Sequence, residues 1–192
     1  MQHKVSVKER VVASAKRLFS ERGFHRTAMA DLALDAQVSV GAIYRSFASK
    51  ADIIRDIIRA DTDGTLDELR ANISAVRSGT TRGHDAIEQM VLEWASPQQD
   101  DALYHEIVAE AHRSPEVAQM VTSTCGEFRE LLRELATLLK PGLTQAEVEG
   151  VAELLLACLF GMGNREFTAP TLSPEQTAAI VTRILLQGVR AE

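Results

Sequence analysis

The chain has 192 residues, 45% apolar and 25% charged, with a net charge of −6; that balance supplies a core and excludes a disordered polyelectrolyte. The longest nearly uncharged apolar run, Leu154 to Gly163, is about half the ~20 residues a bilayer demands, and Met1 to Arg10 is polar with no apolar block behind it; neither a membrane span nor a secretory leader is expected, and a cytoplasmic protein is. Residues 1–60 hold 11 Lys and Arg against 6 Asp and Glu, a balance of +5, whereas residues 61–192 hold 10 against 21, a balance of −11, so a basic end is steered toward phosphates by an acidic body.

Val7, Val11, Ala15, Leu18 and Phe19 recur at helical spacing between Lys8, Arg10, Lys16 and Arg17, which predicts a first helix from Ser6 to Arg22, stopped by Gly23. Thr27 then caps a second helix with Met29, Leu32, Ala33 and Ala36 on its apolar face. Gln37 and Val38 form a turn. Ser39 caps a third helix in which Ile43 and Phe47 share one side while Gly41, Ala42 and Arg45 point away. Phe19, Phe24, Leu32, Ile43 and Phe47 are the expected three-helix core. His25 and Arg26 stand at the mouth of the second helix, where free N–H groups and the helix dipole favour an anion such as a DNA phosphate. The third helix is short and nearly stripped of bulk on its outer face. Gly41 costs a helix about 1 kcal/mol relative to Ala, a cost that makes sense where another surface comes close, and a DNA major groove is such a surface.

Ser49 with Asp52 has capping-box character and starts a helix through Ile53, Ile54, Ile57, Ile58, Leu66, Leu69 and Ile73 to near Arg77, with Gly64 the place for a kink. Gly79 to Gly83 is a break. Ser96-Pro97-Gln98-Gln99, Thr144-Gln145-Ala146-Glu147 and Ser173-Pro174-Glu175-Gln176 each set a capping residue three before Glu or Gln, Ser114-Pro115-Glu116 is a fourth start, and Lys140-Pro141-Gly142 is a stop. Helices are predicted near 83–95, 97–112, 115–139, 145–166 and 174–189. With no strand signal, the fold class is all-α.

Catalytic signals are weak. The segment from His105 to His112 looks like a zinc-protease helix, but that chemistry needs a second His four residues on, where Ala109 stands. His105 and His112 share a helix face and Glu106 and Glu110 another, which reads as a solvated acidic face. No glycine-rich phosphate loop and no nucleophile elbow occurs. Cys125 and Cys158 form no metal-type pair and suit a reducing compartment as small hydrophobes, a redox role being the alternative. No catalytic residue, metal or cofactor is expected. The rival readings are an enzyme on the His105/His112 helix and a helical adaptor that binds protein; the adaptor leaves Gly41, Tyr44 and Lys50 without a reason.

Thr27, Ala33, Ala36, Val38, Ser39, Gly41, Ile43, Tyr44, Phe47, Ser49 and Lys50 stand, without a gap, in the order and spacing of the tetracycline-repressor (TetR) family of bacterial regulators, and the first quarter of the chain resembles that family's DNA-binding signature. It departs at Gln37, where the family commonly has glycine and where a left-handed turn costs a side-chain-bearing residue roughly 1 to 2 kcal/mol, and at Ser46, where the family often has a ring. The resemblance implies a three-helix helix-turn-helix DNA-binding domain in residues 1–50 and a helical ligand-binding and dimerisation domain in residues 51–192. It implies phosphate contacts at Thr27, Tyr44 and Lys50. Arg45 is the candidate for gripping a guanine, Val40 and Ala42 for meeting thymine methyls, with Ala28, Ser39 and Gly41 completing the surface.

The helix near 145–166 is apolar on nearly every side between Val151 and Phe160, and Ala178, Val181, Ile184, Leu185, Leu186 and Val189 make the last helix similarly rich, more than one small core covers. In the family these two helices pair with their copies, which implies a homodimer and a near-palindromic double-stranded DNA operator with half-sites roughly 34 to 36 Å apart. The family also implies an unidentified small-molecule effector, with repression as its common habit. Met90, Trp94, Leu103, Tyr104, Met120, Phe128, Phe160, Met162 and Phe167 are the large side chains from which a pocket could be lined, and His105, Asn164 and Arg165 the polar groups that could orient a ligand.

Overall fold

The computed structural model describes residues 5–96 and 101–190. Among them the chain is helical without strands: α1 (Val7–Arg22), α2 (Met29–Asp35), α3 (Val40–Ser46), α4 (Lys50–Arg77), α5 (Gly83–Ala95), α6 (Asp101–Ala111), α7 (Pro115–Leu139), α8 (Gln145–Gly163), a short 3-10 turn (Arg165–Thr168) and α9 (Pro174–Arg190). The predicted start at Pro97–Gln99 lies outside the described residues.

Local chemistry sets most of these ends. Ser6 Oγ accepts from the Glu9 N–H at 3.1 Å while Glu9 Oε2 accepts from the Ser6 N–H at 2.6 Å, a reciprocal capping box. Thr144 with Glu147 and Ser173 with Gln176 repeat it for α8 and α9. Asp52 accepts the Ser49 N–H at 3.1 Å and donates its own N–H to Ser49 Oγ at 3.2 Å, so α4 starts where the sequence placed it. It then runs unbroken across Gly64. Two expectations fail. Val7 at the head of α1 is exposed, because the first turn extends beyond the helices that cover the rest of the stripe. The helix expected to reach residue 166 stops at Gly163, where Asn164 Nδ2 donates back to the Phe160 carbonyl at 2.6 Å and the chain tightens into the 3-10 turn.

The helices pack as two units, one formed by the described residues of Met1–Asp63 and Asp100–Ser123, the other by those of Gly64–Gln99 and Thr124–Glu192. In the first, Phe19, Phe24, Leu32, Ile43 and Phe47, all five predicted, are buried together with Ile53, Ile54 and Ile57 of α4, Leu103 of α6 and Val117 of α7. In the second, Leu66, Leu69 and Ile73 of α4 join Trp94 of α5, Leu132 and Leu135 of α7, Leu155 of α8 and Ala178 of α9. Since burial contributes roughly 1.5–3 kcal/mol per large apolar side chain, each unit has a core of its own.

Candidate nucleic-acid interface

Helix α3 is built to be held by one side and read by the other. Ser39 Oγ accepts the Ala42 N–H at 3.1 Å and starts it, and of its seven residues only Ile43 is buried. Val40, Gly41, Tyr44 and Arg45 are exposed and Ala42 is partly so. Tyr44 leaves 54% of its surface to solvent, and neither it nor Arg45 has a hydrogen-bond or ion-pair partner among the described residues. A Cβ on Gly41 would meet nothing nearer than Arg45 Nη1 at 4.0 Å. The absent side chain leaves open space on the outer face, where the backbone can approach a groove.

The turn before α3 carries a cost. Gln37 sits at φ +52°, the left-handed conformation its place in the motif demands, and glycine would adopt it with less strain. Arg10, read in the sequence as a flank of the α1 stripe, compensates. Its guanidinium donates to the Gln37 carbonyl at 2.8 Å and also to the Ala36 carbonyl. Asp35, at the end of α2, takes Ser14 Oγ and the Arg17 guanidinium from α1, so the α2–α3 turn is tied to the first helix at several points.

The α1–α2 turn is held from the other direction, and two expectations are corrected there. Thr27 does not cap α2. It is fully buried (0% exposed), and its hydroxyl donates inward to the Gly23 carbonyl at 2.9 Å and the Leu18 carbonyl at 3.3 Å. Ala28 occupies the cap position instead, its N–H satisfied by Asp31 Oδ2 at 2.7 Å. A phosphate contact through the Thr27 side chain does not fit a hydroxyl spent on two carbonyls.

Lys50 is not a free cation either. Its ammonium donates to the carbonyls of Phe24 at 2.8 Å and Thr27 at 3.0 Å and lies 4.4 Å from the centre of the Phe24 ring. Burial pulls its pKa below the usual lysine value, against which Glu110 pushes it up. Glu110, only 6% exposed, lies 2.8 Å from His25 Nε2. Glu106 accepts the Phe24 N–H at 3.0 Å, an approach that a Cβ at Gly23, itself at φ +83°, would crowd to 3.2 Å. His25 therefore faces a carboxylate, and Arg26 Nε donates to the Arg22 carbonyl at 2.7 Å.

Only some of the expected ligand residues come together. Met90, Trp94 and Phe128 line one cavity of the second unit, with Thr65, Leu69, Asn72 and Glu93, which sequence reasoning missed. Phe160 and Met162 belong to the same unit's core rim but not to that lining, and Asn164 caps α8. Leu103, Tyr104, His105 and Met120 belong to the first unit, Leu103 in its core and Tyr104 edge-on to His105 at 5.3 Å. Phe167 is exposed. Arg165 holds the carbonyls of Ala95 at 3.0 Å and Leu172 at 2.7 Å and the Thr177 hydroxyl at 3.1 Å, a structural clamp rather than a ligand group. Among the described residues no three or more His, Cys, Asp or Glu side chains group as a metal would need, and no helix is long and apolar enough to cross a membrane.

Residues 11–57, which contain the whole helix-turn-helix, match the family model for bacterial regulatory proteins, tetR family, and residues 78–187 match that of the tetracyclin repressor-like C-terminal domain. The chain belongs to the TetR family. It is 32% identical over 119 residues to the HTH-type transcriptional regulator UidR of Escherichia coli strain K12, a match covering 58% of this chain and 55% of UidR, so the chain spans about half the length of that relative. Among solved structures, Salmonella enterica GusR superposes with a TM-score of 0.75 at 25% identity, covering 95% of this chain and 94% of GusR. A protein of Pseudomonas aeruginosa PAO1 described as a transcriptional regulator superposes with a TM-score of 0.82 at 18% identity, covering 95% of this chain and 89% of that one, so the two share a fold.

Proposed function

We propose that this TetR-family chain is a sequence-specific, DNA-binding transcription regulator, a repressor that leaves a near-palindromic operator when a small molecule binds its body, working in the cytoplasm as a homodimer. The observation that carries the reading is α3: a capped helix with one buried residue, an open glycine, and Tyr44 and Arg45 uncommitted. Arg45 offers a planar fork for guanine O6 and N7, Val40 and Ala42 meet thymine methyls, and Tyr44 reaches a phosphate from the flank. Ser39 and Ala28 border that surface. Thr27 and Lys50 serve from behind, holding the turn that aims it.

The division of labour follows the motif, with residues 1–50 reading DNA and residues 51–192 carrying ligand and dimer functions. For the dimer, α8 and α9 present small and apolar exposed positions: Gly150, Leu154, Ala157 and Gly161 on one, Ala179, Ile184 and Gly188 on the other. Leu154 is 51% and Ile184 60% exposed. Such faces let two helices approach to the 8–10 Å of close packing, at about the scale a second copy requires. Two-fold symmetry would then set two α3 helices one DNA turn apart, and a ligand preferring the state with the wrong spacing lowers operator affinity by as much as it discriminates between states.

A gel shift on the promoter region beside the protein's own coding sequence, repeated across salt concentrations, tests the reading. Retarded duplex that resists unrelated competitor DNA is expected, with affinity falling linearly in log salt; binding that any duplex competes away equally contradicts it.

A further inference from the structure

The bend between α2 and α3 is a Schellman turn that lacks its usual glycine. The Val38 N–H donates to the Ala33 carbonyl at 2.9 Å and the Gln37 N–H to the Leu34 carbonyl at 3.2 Å, the paired bonds that close a helix through one left-handed residue. Here that residue is Gln37, at φ +52°, and its side chain makes no hydrogen bond among the described residues that would favour the conformation. A strained residue keeps its place only where its surroundings over-determine it. Those surroundings come from one face of α1. Arg10, Ser14 and Arg17 stand at i, i+4 and i+7, on one side of the helix, and all three bond to residues 35–37. Ser14 Oγ and the Arg17 guanidinium take the Asp35 carboxylate, and Arg10 Nη2 takes the Ala36 carbonyl and, at 2.8 Å, the Gln37 carbonyl. These two carbonyls belong to the peptide planes on either side of Gln37, so a donor that fixes both fixes the φ and ψ between them.

Ser39 caps α3 directly after this turn, so the angle at Gln37 is the angle at which α3 departs. From Gln37 to Arg45 the chain runs roughly 12 Å at about 1.5 Å per residue, and a swing of about 10° at the turn would carry Arg45 about 2 Å. A hydrogen bond to a base edge does not survive that. We propose that Arg10 is a positioning residue for sequence reading: it clamps the Gln37 turn and so sets the aim of α3, without touching DNA itself. The proposal rests on the reading of α3 as the helix that meets base pairs. A clamp of this kind matters because the turn residue carries a side chain, and its importance should fall away where glycine takes that place.

A double-mutant cycle on the full chain between Arg10→Ala and Gln37→Gly tests it. Two duplexes serve as probes: the consensus that the parent enriches from a random pool, and a scrambled duplex of the same composition. Arg10→Ala should bind the consensus at least tenfold more weakly and the scrambled duplex within about twofold of the parent, because a shifted helix loses base contacts before phosphate contacts. Its salt slope should equal the parent's. Beside Gln37→Gly, the same change should cost about threefold or less. Three results overturn the proposal: Arg10→Ala binding the consensus like the parent, losing both duplexes alike with a salt slope reduced by about one, or costing as much beside Gln37→Gly as alone. If Arg10→Ala does not fold, the double variant is compared with Gln37→Gly. Consensus binding within about threefold supports the clamp, and a larger loss or an unfolded double variant contradicts it. If the parent enriches no duplex, the reading of α3 fails, and the melting curves of the four chains still judge the clamp. Arg10→Ala should then lower the transition further in the parent than beside Gln37→Gly, and an equal drop in both contradicts it.

Discussion

The two units differ in where their sheltered charged side chains reach. In the first, Arg10, Lys50 and Glu106 reach across from separate helices to backbone groups of the two turns around α2, so the turns are fixed by bonds from charged groups, each worth about 1.5–3 kcal/mol when sheltered. In the second, ions mostly meet one another at the surface, as in Arg133 with Glu149 at 2.8 Å or Arg70 with Glu127 at 3.8 Å, where pairs contribute little. Arg165 is the exception, its guanidinium on the Ala95 and Leu172 carbonyls, and Glu93 stands half-buried beside Glu68. A helix that reads base edges must keep its geometry to a fraction of an ångström. The contrast teaches that charged groups bonded across helices to backbone carbonyls and N–H groups fix the turns that set α3.

The sharpest way to break the contrast is Lys50→Ala. Losing the ammonium frees two carbonyls and deprives buried Glu110 of its nearby cation, so stability should fall by about 2–3 kcal/mol, read as an earlier thermal transition. The salt slope of DNA binding should hardly change; a slope reduced by about one with unchanged stability would make Lys50 a phosphate contact instead. Arg45→Ala should do the reverse, costing about 1–3 kcal/mol in operator binding and relaxing preference at one base pair per half-site, with the melting curve unmoved.

Glu93→Gln sharpens the second half of the comparison. A carboxyl whose folded pKa is raised from 4.5 to about 7 binds more protons folded than unfolded between those values, so it erodes stability as pH rises through that window. Discounted for the solvent around a half-buried group, the loss is about 1 kcal/mol, or roughly 2–4 °C in Tm at this chain length. The variant should melt that much later than the parent at pH 8 and alike at pH 4. Smallest is Gln37→Gly, which relieves the residue at φ +52° and should stabilise by about 0.5–1 kcal/mol, net of the unfolded chain's gain in freedom. A loss on heating scans would mean that the Gln37 side chain has a role no contact shows.

What could be read beforehand follows from how far apart the partners lie. Caps are local, so Ser39, Ser49, Thr144 and Ser173 were legible, and the apolar periods gave the first core because Phe19, Leu32, Ile43 and Phe47 each mark a helix face. Thr27 deceived for the same local reason: a threonine before a helix looks like a cap, and only packing turns its hydroxyl to Leu18 and Gly23. Arg10 and Lys50 bond to carbonyls more than 20 residues away, which no period reveals. Met90, Trp94 and Phe128 were chosen for size and do line one site; Tyr104 and Met120 were chosen by the same rule and lie in the other unit, because which core a mid-chain helix joins is not written in its own pattern. Glu68 and Glu93 stand on different helices, α4 and α5, and no local pattern pairs them.

The central claim is that α3 reads base pairs and that Arg45 does so directly. Selection of bound duplexes from a random pool, run in parallel with the parent and Arg45→Ala, tests it most plainly. The account predicts a near-palindromic consensus for the parent, its half-sites one helical turn apart, and the same consensus for the variant with one degenerate position in each half. A pool that shows no enriched sequence, or a variant that recovers the parental consensus unaltered and equally tight, would contradict it.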